Sequence, residues 1–336
     1  MDYIYNKGLL DKLINLWDFI TGGRYMKEIQ FDSADGKNKV QAYYWIPDYE
    51  PCGIVQIVHG MQEHMGRYTD FAEFLCSQGF IVVGHDQLGH GRTAVTPDQL
   101  GFIAKEHPSD ILVRDIHRLR KGVIKKYPDL PYFIFGHSMG SYLLRKYITH
   151  FAEGLSGVII CGTGNESVAK TKAGLAFIAA LTKKYGMYHR SNAVTGMVFG
   201  GSYKEFDLTG ENLENSWLTK DITIVQKYYD DPFCTTPFTL NGYNALLSTV
   251  SYDAAGAAFK DVPKELPILI VSGDRDPVGN FGKGPKEVYQ KYVKAGVTDV
   301  DIKLFEDDRH EILNELDRDN VYEFIYNWLV NHLSQA

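Results

Sequence analysis

The chain has few cysteines, no long apolar run and no concentration of positive charge, and each shortage removes a class of function. Cys52, Cys76, Cys161 and Cys234 are the only cysteines in 336 residues, and they form no CxxC pair and no Cys/His cluster. Such spacing signals neither a zinc site nor a disulfide framework, and buried thiols in a reducing compartment are the expectation. The longest apolar candidate, residues 173–181, stops at Thr182-Lys183-Lys184, short of the about 20 residues that a bilayer span needs. The opening stretch, MDYIYNKGLLDKLINLWDFITGG, has acids and lysines inside its apolar run and no small-residue cleavage site, unlike a signal peptide. A cytoplasmic location is therefore expected. Lysine and arginine number 35 against 42 aspartates and glutamates, a formal net charge of −7. Without clustered basic residues to displace counterions, nucleic acid is not an expected partner.

What is present is apolar enough, at 44% hydrophobic residues, to exclude disorder and to fold without staples. Residues 1–24 look like an extension. Leu10, Leu13, Ile14, Trp17 and Ile20 recur at helical spacing. The helix carries mixed charge rather than the basic face of a surface-seeking helix, so docking on the body or a partner fits better than contact with a membrane or lipid. The body then alternates strands and helices. Residues 25–31 and 39–46 read as an antiparallel pair about the Ala34–Asn38 turn. The runs at 53–59, 80–85, 132–136, 157–161 and 267–273 are short and nearly continuously apolar, as strands covered on both faces must be; residues 300–305 form a further strand. Helical periodicity falls at 67–78, 109–127, 138–151, 285–295 and 320–333. This alternation predicts an α/β fold with a mostly parallel sheet flanked by helices. The rhythm breaks after the strand at 157–161. Residues 163–240 show no buried strand, only helical pieces at 173–181 and 222–229, and are expected to form a helical cap. The core would then comprise residues 25–162 and 241–336. A cap so placed lies over the strand ends, where open α/β sheets bind ligands.

The sharpest motif is Gly136-His137-Ser138-Met139-Gly140, directly after the strand YFIFG and at the start of a helix. That is the context of a G-x-S-x-G nucleophile elbow, which exposes a serine hydroxyl above a helix N-terminus. Serine needs a base to take its proton, and the partners are expected later in the chain, at strand ends. Asp274-Arg275-Asp276-Pro277 follows one strand and His310 another. We assign Ser138 as nucleophile, His310 as base and Asp276 as its orienting acid; Asp274 competes but lies closer to the strand end. The oxyanion N–H donors are expected from Met139 and, in the loop after residues 53–59, from Met61. Gly60, Gln62 and His137 neighbour these groups and are expected to face substrate. In the cap, Leu175, Phe177, Ile178, Met187, Tyr188, Met197, Val198 and Phe199 are expected to line an acyl channel. Neither metal nor organic cofactor is called for.

Five motifs in order carry a resemblance: His59-Gly60-Met61-Gln62-Glu63-His64 with Gly66-Arg67-Tyr68, Gly84-His85-Asp86 with Gly89-His90-Gly91, the elbow itself, Trp217-Leu218-Thr219-Lys220-Asp221, and Asp231-Pro232-Phe233-Cys234. Residues 25–334 resemble the monoacylglycerol lipase and bacterial lysophospholipase-like branch of the α/β-hydrolases. The resemblance implies an eight-stranded sheet with a helical cap inserted after the sixth strand. It also implies the triad Ser138, Asp276 and His310, and single-chain acyl esters as substrates. Gln62 and Ser141 depart from the branch, standing where a small residue and a third glycine are common. An amidase or peptidase of the same fold, a general short-chain carboxylesterase, and a non-catalytic binding protein are the alternatives.

Overall fold

The computed structural model describes residues 26–333; the N-terminal helix expected within residues 1–24 lies outside them. Eight strands form one sheet in the order β1-β2-β4-β3-β5-β6-β7-β8. They are β1 (Met26–Asp32), β2 (Lys39–Trp45), β3 (Gly53–Val58), β4 (Phe80–His85), β5 (Tyr132–His137), β6 (Gly157–Cys161), β7 (Ile268–Gly273) and β8 (Val300–Phe305). β1 and β2 pair antiparallel at one edge, β2 joins β4 antiparallel, and all other pairings are parallel.

Side-chain alternation explains why the central strands read as unbroken apolar runs. In β3, Ile54 and Val58 face one core, while Val55 and Ile57 face the other. The same division separates Ile134 from Phe133 and Phe135 in β5, and Ile268 and Ile270 from Leu269 and Val271 in β7. Both faces are dry, so a polar side chain at any of these positions would cost its desolvation unless hydrogen-bonded. Gln56 is the buried exception in β3, and it is satisfied: its Nε2 donates to Ile116 O (3.1 Å) and its Oε1 accepts from the Tyr132 hydroxyl (2.6 Å). Truncating a core isoleucine such as Ile134 to alanine would cost about 2–5 kcal/mol.

Between β6 and β7 lies a helical insertion containing Val168–Tyr185, Asn192–Val198 and Ile222–Asp230. The first helix is longer than its apolar segment suggests, because Ser167 caps its start by accepting from Lys170 N–H and Gly186, at φ 84°, ends it. A further helix, Leu240–Ala254, was not expected. It packs on Met139–Phe151 and Val168–Tyr185, and so ties the insertion to the core. Among the described residues, no helix is long and apolar enough to cross a membrane.

Candidate active site

One residue, Ser138, separates β5 from the helix Met139–Phe151, with φ 54° and ψ −121°. A non-glycine residue in this region is strained by about 1–3 kcal/mol, a cost that surrounding structure must offset. The flanking glycines are needed because backbones meet here. A Cβ at Gly136 would lie 2.6 Å from Gly140 O, and one at Gly140 would lie 2.0 Å from Val58 O. The turn is pinned by Ser138 N–H donating to Cys161 O (3.0 Å) and by the Ser141 hydroxyl donating to Ser138 O (2.6 Å). Ser141, the departure from a third glycine, thus spends its hydroxyl on the elbow.

The loops after β7 and β8 bring Asp276 and His310, the residues expected as acid and base, together. His310 Nδ1 lies 3.0 Å from Asp276 Oδ2, and both residues are buried. Asp276 is itself held: Val278 N–H donates to Oδ1 (2.8 Å) and the Ser272 hydroxyl to Oδ2 (3.2 Å). Asp274 points elsewhere, its Oδ1 accepting from Asp307 N–H at 2.9 Å in the turn after β8. The geometry therefore joins His310 to Asp276 and not to Asp274. Gly162, directly after β6, makes room for two rings: a Cβ there would sit 3.0 Å from His310 Cε1 and 3.2 Å from the His137 ring. Among the described residues, the N–H groups of Met61 and Met139 donate to no carbonyl or side chain, and both residues border the same cavity as Ser138 and His310. Two free N–H donors beside a serine are what a tetrahedral oxyanion requires.

Beneath this surface lies a charged network that the motifs did not reveal. Glu63 accepts from Gly60 N–H, from the Tyr68 hydroxyl (2.8 Å) and from His137 Nδ1 (3.2 Å). His137 Nε2 faces His310 O at 3.2 Å. The Tyr68 hydroxyl also lies 3.0 Å from His137 Nδ1, and the Glu63 carboxylate and His310 carbonyl, which only accept, both favour a protonated His137 ring. Burial alone would lower its pKa, but the Glu63 carboxylate outweighs burial and raises it. Burial likewise opposes the Glu63 charge, yet His137 and Arg67 hold the carboxyl well below its ordinary range. Arg67 completes the group with a bidentate bond to Glu311, one arm at 2.7 Å. Glu63 and Arg67 sit inside a recognised motif and Glu311 follows the catalytic-type histidine. Only the fold, however, shows that residues nearly 250 positions apart meet.

A cavity of about 550 Å³ opens at Ser138. Its wall includes Met61, Gln62, His137, Met139, Met197, Val198 and Phe199, together with Tyr142, Tyr203, Trp217, Leu246 and Leu247. Gln62, at φ 56°, reaches the cap by donating from Nε2 to Thr236 O (3.1 Å). His137 borders the cavity, but both ring nitrogens are spent within the protein. Six of the residues expected to face substrate or line the channel are not on the wall among the described residues. Gly60 lies behind the serine, where a Cβ would come within 2.9 Å of Ser138 Cβ. On the helix Val168–Tyr185, Thr171 and Gly174 face the cavity, whereas Ile178, two turns on along that face, is taken into the core and Leu175 is half-buried to one side. Phe177 and Tyr188 point outward, 41% and 54% exposed, and Met187 is also absent from the wall. The actual apolar lining instead draws on Leu246 and Leu247 of the unexpected helix. At the cap boundary, His64, Asp231 and Cys234 place ligand atoms within 4.8 Å of one another. This is the one group among the described residues that could hold a metal ion, and here His64 Nε2 is bonded to Asp231 Oδ2 at 2.8 Å.

Comparison with known proteins matches this architecture. The family model Hydrolase_4, described as serine aminopeptidase S33, matches residues 49–317. The chain is 25% identical over 292 residues to a monoacylglycerol lipase of Mycolicibacterium smegmatis, covering 86% of this chain and 92% of that protein. It is 25% identical over 310 residues to human monoglyceride lipase, covering 90% of each. Among solved structures, a thermostable carboxyl esterase of Bacillus coagulans in complex with glycerol superposes with a TM-score of 0.84 at 32% identity, covering 93% of this chain and all of that one. A match over residues 49–317, well over half of the chain, together with the elbow and the eight-stranded sheet, leads to one assignment: the chain belongs to the Hydrolase_4 (serine aminopeptidase S33) family of α/β-hydrolases.

Proposed function

We propose that the protein is a serine carboxylic-ester hydrolase acting on single-chain acyl esters of monoacylglycerol or lysophospholipid type. Ser138 Oγ attacks the ester carbonyl while His310 takes its proton, and the oxyanion is received by the N–H groups of Met61 and Met139. His310 then gives that proton to the departing alcohol. Water, deprotonated by His310, cleaves the acyl-enzyme and releases the acid. Asp276 holds His310 in the tautomer that leaves Nε2 free for the serine.

One observation carries the reading: the bonded His310–Asp276 pair and the strained Ser138 open together into a largely apolar cavity, whose volume lies within the ~300–1,000 Å³ of small-molecule sites. The similar carboxyl esterase holds glycerol, the alcohol that a monoacylglycerol would release. The description of the matching family raises peptide hydrolysis as a second reading. An aminopeptidase needs a free carboxylate to receive the substrate ammonium. Glu63 and Glu311 on the cavity wall are spent in the buried network, whereas Glu166 and Glu287 are each bonded through one oxygen, to Lys170 and Asn165, and keep acceptor capacity, so matched ester and amide substrates must separate the two readings. The outward Phe177 and Tyr185 beside Lys183 and Lys184 further favour contact of the cap with a lipid surface holding the substrate.

The test is a rate profile over glycerol monoesters of increasing acyl length, with Ser138→Ala as control. The expected result is a maximum at medium or long chains, lost in the variant. Activity confined to the shortest esters would make the protein a general carboxylesterase, and faster cleavage of a matched amide would favour the peptidase reading.

A further inference from the structure

A strap from the cap is woven into the loop that carries His310. His310 N–H donates to Trp217 O (3.3 Å) and Glu311 N–H to Leu218 O (2.7 Å). The Trp217 indole stacks on the His310 imidazole, with ring centroids 5.0 Å apart and planes 28° from parallel. Glu315 fastens the strap. Buried within the protein, its carboxylate accepts from Arg309 N–H (2.8 Å) on the His310 loop, and from Lys220 N–H (2.9 Å) and the Thr219 hydroxyl (3.0 Å) on the strap. Arg309 reaches back in turn to the carbonyls of Glu214 and Thr219. A cover over a cavity needs none of these bonds. They act on the loop of the base.

We infer that Trp217 is a positioning residue for His310, and that the strap of residues 216–221, clasped by Glu315, makes the cap part of the catalytic apparatus. This rests on the reading of His310 as the base that serves Ser138. Besides its Nδ1 bond to Asp276, the His310 ring meets the His137 ring, centroids 4.6 Å apart and planes tilted by 40°, a contact that leaves it free to tilt toward the strap. A stacked indole fixes the plane of the ring, because aromatic pairs hold defined offset geometries, and so aims Nε2. The indole face also attracts the imidazolium that forms once His310 has taken the serine proton, so the contact tightens as the reaction proceeds. Trp217 meets Phe199 and Tyr203 in the cavity wall as well. A wall residue acts chiefly on KM and a positioning residue chiefly on kcat, so the two roles separate in kinetics.

The experiment compares wild type, Ser138→Ala, Trp217→Phe, Trp217→Leu and Glu315→Gln. It measures steady-state ester hydrolysis, labelling by a fluorophosphonate, and thermal melting. Trp217→Leu is expected to lower kcat about tenfold or more, within the roughly 100-fold that a 1 Å misplacement can cause, with KM nearly unchanged. Trp217→Phe should recover most of the lost kcat. Glu315→Gln, which is away from the cavity wall, should lower kcat in the same sense. A Trp217→Leu enzyme with wild-type kcat, or with a loss confined to KM, overturns the inference. If Trp217→Leu does not fold, Glu315→Gln decides: wild-type kcat in that folded variant overturns it equally. A folded wild type that neither turns over esters nor labels at Ser138 would instead remove the hydrolase reading itself and the strap's role with it.

Discussion

Replacing Glu63 by glutamine tests the buried network on which the serine and histidine rest. The side chain changes little in size but loses its charge, and four groups feel the loss. Gly60 N–H, the Tyr68 hydroxyl and His137 Nδ1 bond to its Oε1, and the Arg67 guanidinium lies 3.5 Å from Oε2. Removing one partner of a buried ion pair costs about 3–5 kcal/mol, since the remaining charge is left uncompensated. Glutamine keeps one acceptor oxygen and Arg67 keeps Glu311, so we expect the lower end, about 3 kcal/mol. The pH dependence supplies a signature. The pKa of Glu63 is depressed in the fold, so its share of stability is present above about 4.5 and is lost as pH falls toward the folded value. That of His137 is raised, so its share is present below about 6.5 and is lost as pH rises through the folded value. The difference between wild type and Glu63→Gln should therefore be greatest between about pH 4.5 and 6.5 and shrink on either side. Urea unfolding of both proteins at about pH 5.5 and 8.5 measures it. A difference under about 1 kcal/mol at the lower pH, or one equal at both, would refute the network as drawn.

Two other substitutions and one titration bear on the same structure. Asp276→Asn should reduce kcat by about 10⁴, the scale expected when a base loses its tautomer. Asp274→Asn should leave kcat near wild type, because Asp274 serves only the turn at Asp307; equal losses in steady-state assays would undo the assignment of Asp276. Burial lowers the pKa values of His59 to about 4 and of His85 and His90 to about 3. These histidines are neutral in the fold and bind protons when unfolded below about 6.5, so stability should drop as pH falls from there toward 4. The slope attributable to three groups approaches about 4 kcal/mol per pH unit. Urea unfolding from pH 7 to 5 reads it, and a flat profile would mean that these rings are hydrated or already charged.

The parts legible in sequence share a physical cause. Central strands such as β3 and β7 are dry on both faces, which removes the alternation that would otherwise confuse them with surface strands. The elbow is legible because steric contact demands glycine at both Gly136 and Gly140. Asp276 and His310 stand where chain order and strand ends put them. The helix Leu240–Ala254 was illegible for the opposite reason. It carries Gly242 and several serine, threonine and asparagine residues, so local propensity is weak and packing on neighbouring helices supplies its stability. The substrate wall failed similarly. Leu175 and Ile178 looked equivalent in an apolar helical segment, and only the position of the core decides which face meets the cavity. The pairing of Arg67 with Glu311 has no local signature at all.

Gly162 stands at the junction where β6 gives way to the cap, and it limits how this protein could acquire a different one. Caps are often pictured as interchangeable attachments on a constant body. Here the first residue of the joint must lack a side chain, or the His310 and His137 rings are displaced. An exchanged cap would also have to bring carbonyls to the positions of Trp217 and Leu218, or leave two N–H groups of the histidine loop without partners. Grafts that respect only the ends of β6 and β7 would thus arrive with the His310 loop disturbed. Change by descent is easier inside the cap, at positions such as Phe177 that face away from both constraints.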